Sequence, residues 1–173
     1  EQQRVQGQSG GRQPHQEQGE EEEYGVAGDL PGVLRGGVGV VAATAEAATQ
    51  TPFARVGGHP VLQAICDRFY DLMDQDPAYA ELRAMHADDL GFMRAALPQF
   101  LAGWAGGPRD WFEANPGKCM MSMHAPFPID RQTATQWAEA MTRAVADTEV
   151  ADRTVADAMA EVLSRMARGM ARG

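Results

Sequence analysis

Two cysteines and three serines leave little room for thiol or hydroxyl chemistry in this chain. Cys66 and Cys119 are too few for a disulfide framework, and no Cys-x-x-Cys-His offers covalent haem attachment. The expected state is two reduced thiols in a cytosolic protein. Ser9, Ser122 and Ser164 sit in no strand–turn–helix elbow, so a serine nucleophile is unsupported. His59, His86, Cys119 and His124 have no recognised zinc-ligand spacing, and Asp88-Asp89 reads better as a helix start than as an acid–base pair. No apolar run reaches the roughly 18–20 residues that a bilayer span needs. No basic stretch followed by an apolar one opens the chain as a secretory signal does. Basic residues are also short, fifteen against twenty-four acidic ones, for a formal net charge of −9. That balance argues against nucleic acid or an anionic membrane as a partner.

The acidic excess is uneven. The first fifty residues carry eight acidic and three basic side chains (−5), and the remainder sixteen and twelve (−4). Residues 1–50 are expected to be a disordered acidic and Gly-rich tail and linker. Glu1 to Glu23 has almost nothing apolar beyond Val5, and Glu20 to Glu23 repel one another, so burial cannot offset the cost of ordering. Gly37-Val38-Gly39-Val40-Val41-Ala42 fits a loose G-x-G-x-x-A pattern without the strand and βαβ unit that would give it meaning. It reads as linker, with a short helix over 42–49.

Residues 51–173 read as one helical domain. No alternating pattern of strands occurs, and the expected class is all-α. Leu62, Ile65, Phe69, Leu72 and Met73 fall at helical spacing over 60–74. Pro77 suits the first turn of a short helix ending near Met85. Asp88 is the expected cap of a helix whose inward stripe is Met93, Leu97, Phe100 and Trp104. Pro98 lies inside that helix and should kink it or cost it a hydrogen bond. Gly106-Gly107-Pro108 ends it. Residues 109–118 show no periodicity, and 118–124 allow two helical turns. Asp130 caps a helix carrying Trp137, Met141, Ala144 and Val145. The last helix, over 152–168, points Val155, Met159, Val162 and Met166 inward.

Between these helices lies Met123-His124-Ala125-Pro126-Phe127-Pro128-Ile129. The prolines stop one helix immediately behind a histidine and force extended geometry before the next. Two constellations involve this corner. Cys119, Met120, Met121, Met123 and His124 form a soft cluster able to hold Cu(I), although methionine is also a common core filler. The other is an apolar cleft with Met93, Leu97, Phe100 and Leu101 on one wall and His124 with Phe127 opposite. Tyr70, His86 and Trp137 can reach into it. A flat apolar slot, a neutral imidazole and donors beside it are what haem requires. Pattern alone favours an unliganded helical core over this cleft.

The ordered motifs add a resemblance. Val56-Gly57-Gly58, Phe69-Tyr70-Asp71-Leu72-Met73, Met85-His86-Ala87-Asp88-Asp89-Leu90, Phe100-Leu101, Gly106-Gly107-Pro108, His124 to Ile129 and Trp137 occur at the spacing of group II truncated haemoglobins. From about Phe53 to Arg168 the chain resembles that bacterial family. The resemblance implies a two-over-two helical sandwich around non-covalent haem b, with His124 as the iron ligand and a backbone carbonyl fixing its other ring nitrogen. It implies that Tyr70 and Trp137 donate to the bound ligand, with His86 as a third donor. Met93, Leu97, Phe100, Leu101, Phe127 and Met120 then belong to the haem surroundings, with Lys118 or Arg109 near a propionate. Relatives commonly carry Arg immediately before the iron-binding histidine, where this chain has Met123. The Gly-His-Pro usual ahead of that helix is replaced by Asn115-Pro116-Gly117-Lys118-Cys119.

The implied function is reversible binding, or transport, of dioxygen and other diatomics in the cytoplasm. Three rivals stand beside it. One is a redox enzyme acting on nitric oxide, peroxide or sulfide with a reductase as partner. Another is a sensor in which His86 or a Met becomes a sixth iron ligand. The third is a haem-free Cu(I) protein.

Overall fold

The computed structural model describes residues 50–172, which contain helices and no strand. The expected tail up to Thr49, its Gly-rich pattern and the helix over 42–49 lie outside the described residues. The domain opens with α1 (Pro52–Val56) and α2 (Gly58–Gln75), followed by a 3-10 turn over Pro77–Tyr79. It continues with α3 (Ala80–Ala84), α4 (Gly91–Trp104), α5 (Asp110–Ala114), α6 (Met120–His124), α7 (Arg131–Asp147) and α8 (Arg153–Gly169).

Local chemistry sets most boundaries. The Thr51 hydroxyl accepts from the Ala54 N–H at 3.3 Å and starts α1. Gly57 then turns the chain at φ 118°, where a Cβ would lie 2.5 Å from Val61 Cγ2. Asp130 and Thr133 cap α7 reciprocally, and Asp152 accepts from the Val155 N–H at 3.1 Å to start α8. The expected cap at Asp88 is not made: the N-cap position is Leu90, without a side-chain cap, and the preceding turn is closed by Asp89 Oδ1, which accepts from the Gly91 N–H at 2.8 Å. The Asp88 backbone carbonyl accepts from the Arg83 guanidinium at 2.9 Å.

Two layers form the body. The pair α2 and α4 packs on the pair α7 and α8, which is the two-over-two arrangement expected of this sequence. Leu62, Ile65, Phe69, Leu101, Met141, Val155 and Leu163 are buried between them. Each such side chain contributes on the order of 1.5–3 kcal/mol by leaving water. Ala138, Ala144, Ala156 and Ala160 are buried as well, and small residues at these positions let α7 and α8 approach closely. Arg55–Asp152 and Arg68–Asp147, both at 2.6 Å, tie α1 and α2 to α8 and to the end of α7.

Pro98 is buried inside α4, and the helix runs through it. Its missing N–H leaves the Arg94 carbonyl without a helical partner. The Gln63 side chain takes that place: its Nε2 donates to the Arg94 carbonyl at 3.2 Å and to Asp67 Oδ1 at 3.1 Å. The expected loss is therefore repaired from α2. Helix α5 was not expected, because five residues are too few to show a period. Its Trp111 and Phe112 pack against Phe100 with ring centroids 5.2 and 5.5 Å away. Gly103 leaves room for the Phe112 ring, since a Cβ there would meet it at 2.7 Å.

Candidate functional site

The histidine corner is built locally. Cys119 ends the turn after Gly117 and caps α6, its Sγ accepting from the Ser122 N–H at 3.3 Å while Ser122 Oγ accepts from the Cys119 N–H at 3.2 Å. His124 is the last residue of α6. Its Nδ1 lies 2.8 Å from the Met120 carbonyl four residues earlier. A carbonyl can only accept, so in the neutral ring Nδ1 carries the proton and Nε2 keeps its lone pair. The carbonyl that fixes the tautomer, expected without an address, is Met120. Phe127 packs beside the imidazole at a ring distance of 6.4 Å. The Ile129 carbonyl accepts from the Arg172 N–H at 2.9 Å and fastens the corner to the end of the chain.

Three elements converge on a second cluster. Tyr70, near the end of α2, is buried, with its ring 5.0 Å from Phe69 in edge-to-face contact. Phe69 in turn meets Trp137 of α7 at 5.4 Å. His86, in the loop after α3, stands edge-on to Tyr70 at 6.4 Å. Burial pushes the Tyr70 phenol well above its usual value, and it stays protonated and able to donate. Tyr70 thus faces His86, and Phe69 stands between it and Trp137.

His86 is more closely defined than its sequence suggested. Its Nδ1 lies 2.9 Å from the Leu82 carbonyl, so the neutral ring offers Nε2 as an acceptor. Burial holds this imidazole below the usual histidine value; the bond to Leu82 opposes that shift, while the charges of Arg83 and His124 add to it. The outer side of His86 lines a surface cleft of about 560 Å³ with Met73, Asp74, Arg83 and Asp88.

The remaining expected residues divide. Met93, 37% exposed, and Phe127, 44% exposed, stand at the surface, and Leu97 and Met120 are half-buried against the core. Phe100 is buried and engaged by the α5 aromatics. Leu101, also buried, sits in the helical core beside Ile65, Met141 and Leu163. Lys118 donates to Asn115 Oδ1 at 2.9 Å, and the Arg109 guanidinium lies 5.1 Å from the centre of the Phe112 ring. Trp104, expected on the inward stripe, is half-buried, and its Nε1 is sealed from solvent with no hydrogen-bond partner.

These residues fit haem better than a bare metal ion. Among the described residues, no three of His, Cys, Asp and Glu gather into a ligand set. One imidazole with a free Nε2 suits a metal that arrives with its other ligands in a macrocycle. The large apolar side chains left exposed, Phe92, Met93, Met121, Met123 and Phe127, lie at the start of α4 and around the His124 corner. An apolar, planar group covering such surface is consistent with their distribution.

Comparison with known proteins points the same way. A family model described as bacterial-like globin matches residues 51–172. The fold is similar to that of a cold-adapted truncated haemoglobin from the Antarctic marine bacterium Pseudoalteromonas haloplanktis TAC125. Identity is 29% and the TM-score 0.67, over 72% of this chain and 99% of that one. It is similar to a group II 2-on-2 haemoglobin from Agrobacterium tumefaciens, at 28% identity and a TM-score of 0.68, over 72% of this chain and 95% of that one. A group II truncated haemoglobin from Bacillus anthracis matches at 28% identity and a TM-score of 0.63, over 71% and 92%.

Proposed function

This chain belongs to the bacterial-like globin family, and from that premise we propose that it is a haem protein binding dioxygen and related diatomics, with His124 as its iron ligand. Family membership makes it a haem-binding globin; the residue roles are our reading. The haem-binding unit is residues 51–173. The observation that carries the assignment is the His124 imidazole, fixed by the Met120 carbonyl at 2.8 Å with Nε2 left open. A hydrogen bond to Nδ1–H also raises the basicity of Nε2, which suits it to a metal.

His124 would hold non-covalent haem b, whose iron would supply the chemistry of diatomic binding. The chain's residues do the rest. The Tyr70 hydroxyl and the Trp137 indole N–H donate to the ligand and slow its release. His86, whose Nδ1 proton is given to the Leu82 carbonyl, has none left for the ligand in its neutral form and packs edge-on beside the Tyr70 ring instead of serving as the third donor expected. Met93, Leu97, Phe100 and Phe127 supply apolar surroundings that exclude water, with Met120 behind His124 and Lys118 at the rim, whereas Leu101 is taken up by the interhelical core. Two unpaired cysteines suit a cytoplasmic protein.

The test is His124→Gly. Loss of haem retention, with recovery by added imidazole, is the expected result. An unchanged ferrous spectrum and unchanged haem retention would refute the assignment. A second reading, iron six-coordinate at rest, is supported by one observation: His86 has its Nδ1 occupied and its Nε2 available. A six-coordinate ferrous spectrum that turns five-coordinate in His86→Leu would select it.

A further inference from the structure

Arg94 is the only residue of α4 that α2 holds at both side chain and backbone. One guanidinium nitrogen donates to the Asp67 carbonyl at 3.0 Å, and the other to Asp71 Oδ1 at 2.7 Å. The Arg94 carbonyl accepts from Gln63 because Pro98 cannot donate to it. Gln63, Asp67 and Asp71 recur every four residues, so they form one stripe of α2. The same guanidinium lies 5.6 Å from the centre of the Tyr70 ring. Tyr70 therefore has Phe69 edge-on at 5.0 Å, His86 at 6.4 Å and a cation at a third side.

We propose that Arg94 is the positioning residue of Tyr70: clamped between Asp67 and Asp71, its guanidinium holds the phenol ring in the orientation from which the hydroxyl meets the diatomic ligand. The proposal rests on the reading of Tyr70 as a ligand-facing donor. A cation over an aromatic ring within about 6 Å attracts it. Here the cation cannot follow the ring elsewhere, because two acceptors of α2 fix its plane. It also lowers the phenol's affinity for its proton against the effect of burial, which strengthens the hydroxyl as a donor. Pro98 gives the arrangement its rigidity: by freeing the Arg94 carbonyl for Gln63, it joins the backbone of α4 to the helix that carries Tyr70.

The experiment compares haem-loaded wild type, Arg94→Met, Tyr70→Phe and the double variant by oxygen dissociation rate and by the C–O stretching band of the carbonmonoxy form. Methionine keeps an apolar stem and removes the charge and the fork. Tyr70→Phe is expected to speed dissociation about ten- to a hundredfold, as loss of a strong donor does. Arg94→Met is expected to speed it about two- to fivefold, the value of a cation–aromatic contact, and to broaden the C–O band. In the Tyr70→Phe background the Arg94 substitution should change neither quantity. An equal effect in both backgrounds, or none in wild type, overturns the proposal. If Arg94→Met fails to retain haem, Asp71→Asn loosens the same clamp and is read by the same comparison. If Tyr70→Phe itself leaves both readouts unchanged, the donor reading of Tyr70 falls. Arg94 is then judged by the ferric crystal structure of Arg94→Met, where a displaced Tyr70 ring supports positioning and an unmoved ring refutes it.

Discussion

Gln63 and Pro98 should be coupled energetically although they sit on different helices. Pro98 strips one hydrogen bond from α4, and Gln63 restores it from α2 at 3.2 Å. Replacing Gln63 with Leu leaves the part-buried Arg94 carbonyl without a partner and removes the contact to Asp67. A net hydrogen bond contributes about 0.5–1.5 kcal/mol, and an orphaned acceptor costs somewhat more. The expected loss of stability is about 1–2 kcal/mol. With Ala at 98 a backbone N–H becomes available to the Arg94 carbonyl. Gln63→Leu then forfeits only its contact to Asp67, four residues away on the same helix, about 0.2–0.5 kcal/mol.

Pro98→Ala alone is not the informative variant. It loses buried ring carbons at about 0.8 kcal/mol per methylene and gains helix propensity of up to about 3 kcal/mol, and both effects cancel in the double-mutant comparison. The assay is urea unfolding of the four haem-loaded proteins at one protein and haem concentration, so that ligand stabilisation is common to all. A coupling of about 1 kcal/mol is expected. Additivity within about 0.3–0.5 kcal/mol would refute the idea that Gln63 stands in for the missing N–H.

Two further outcomes follow from single positions. Gly107→Ala places a Cβ 2.5–2.7 Å from the Phe53 ring, whose own backbone N–H is held by the Ala105 carbonyl at 2.9 Å. Overpacking of this kind costs about 1–3 kcal/mol, and thermal melts should show the midpoint falling while haem retention holds. Asp152→Ala removes the α8 cap and the partner of Arg55, a loss of about 1 kcal/mol at neutral pH. The Val155 N–H, followed by Arg55, holds the Asp152 carboxyl below the usual carboxylate range. Its contribution is present above the ordinary carboxylate value and disappears as pH falls through the lowered one. The stability gap between wild type and variant should therefore close below about pH 4 in acid titrations.

The parts of the fold that announce themselves locally were legible in the sequence. Asp130 and Asp152 cap the helices that follow them, Pro126 and Pro128 stop α6 behind His124, and the apolar spacing of Leu62 to Met73 lays out the buried face of α2. Tyr70, His86 and Trp137 were identified by motif spacing; Tyr70 and His86 stand edge-on, while Trp137 meets Phe69 beside them. What escaped depends on register between elements. Gln63 looks like a solvent-facing residue until Pro98 is placed opposite it. Arg94 is one of many charged residues until Asp67 and Asp71 are seen as a stripe. Asp88 looks like a helix cap in sequence, but α4 starts later, at Gly91, with Leu90 at the cap position. Helix α5 is too short to carry a period, yet its Trp111 and Phe112 cover Phe100. Trp104 was expected inward without hint that its indole nitrogen would be sealed and unpartnered.

The packed core and the His124 corner are built by different means. The buried side chains of α2, α4, α7 and α8 form one continuous core, whereas α5 and α6 contain no buried residue at all. His124 is nonetheless held in one orientation, by the Met120 carbonyl, the Cys119–Ser122 cap and two prolines. These are backbone devices, and they fix direction without burying apolar area. Around them Met121, Met123 and Phe127 remain 59%, 41% and 44% exposed. Met123 also stands where relatives commonly keep a cation, so this edge offers an apolar surface instead of charge to whatever covers it. On the proposed assignment of His124, a planar apolar cofactor would complete the packing of this thinly packed corner, and its affinity would report local packing as much as the strength of the iron–histidine bond.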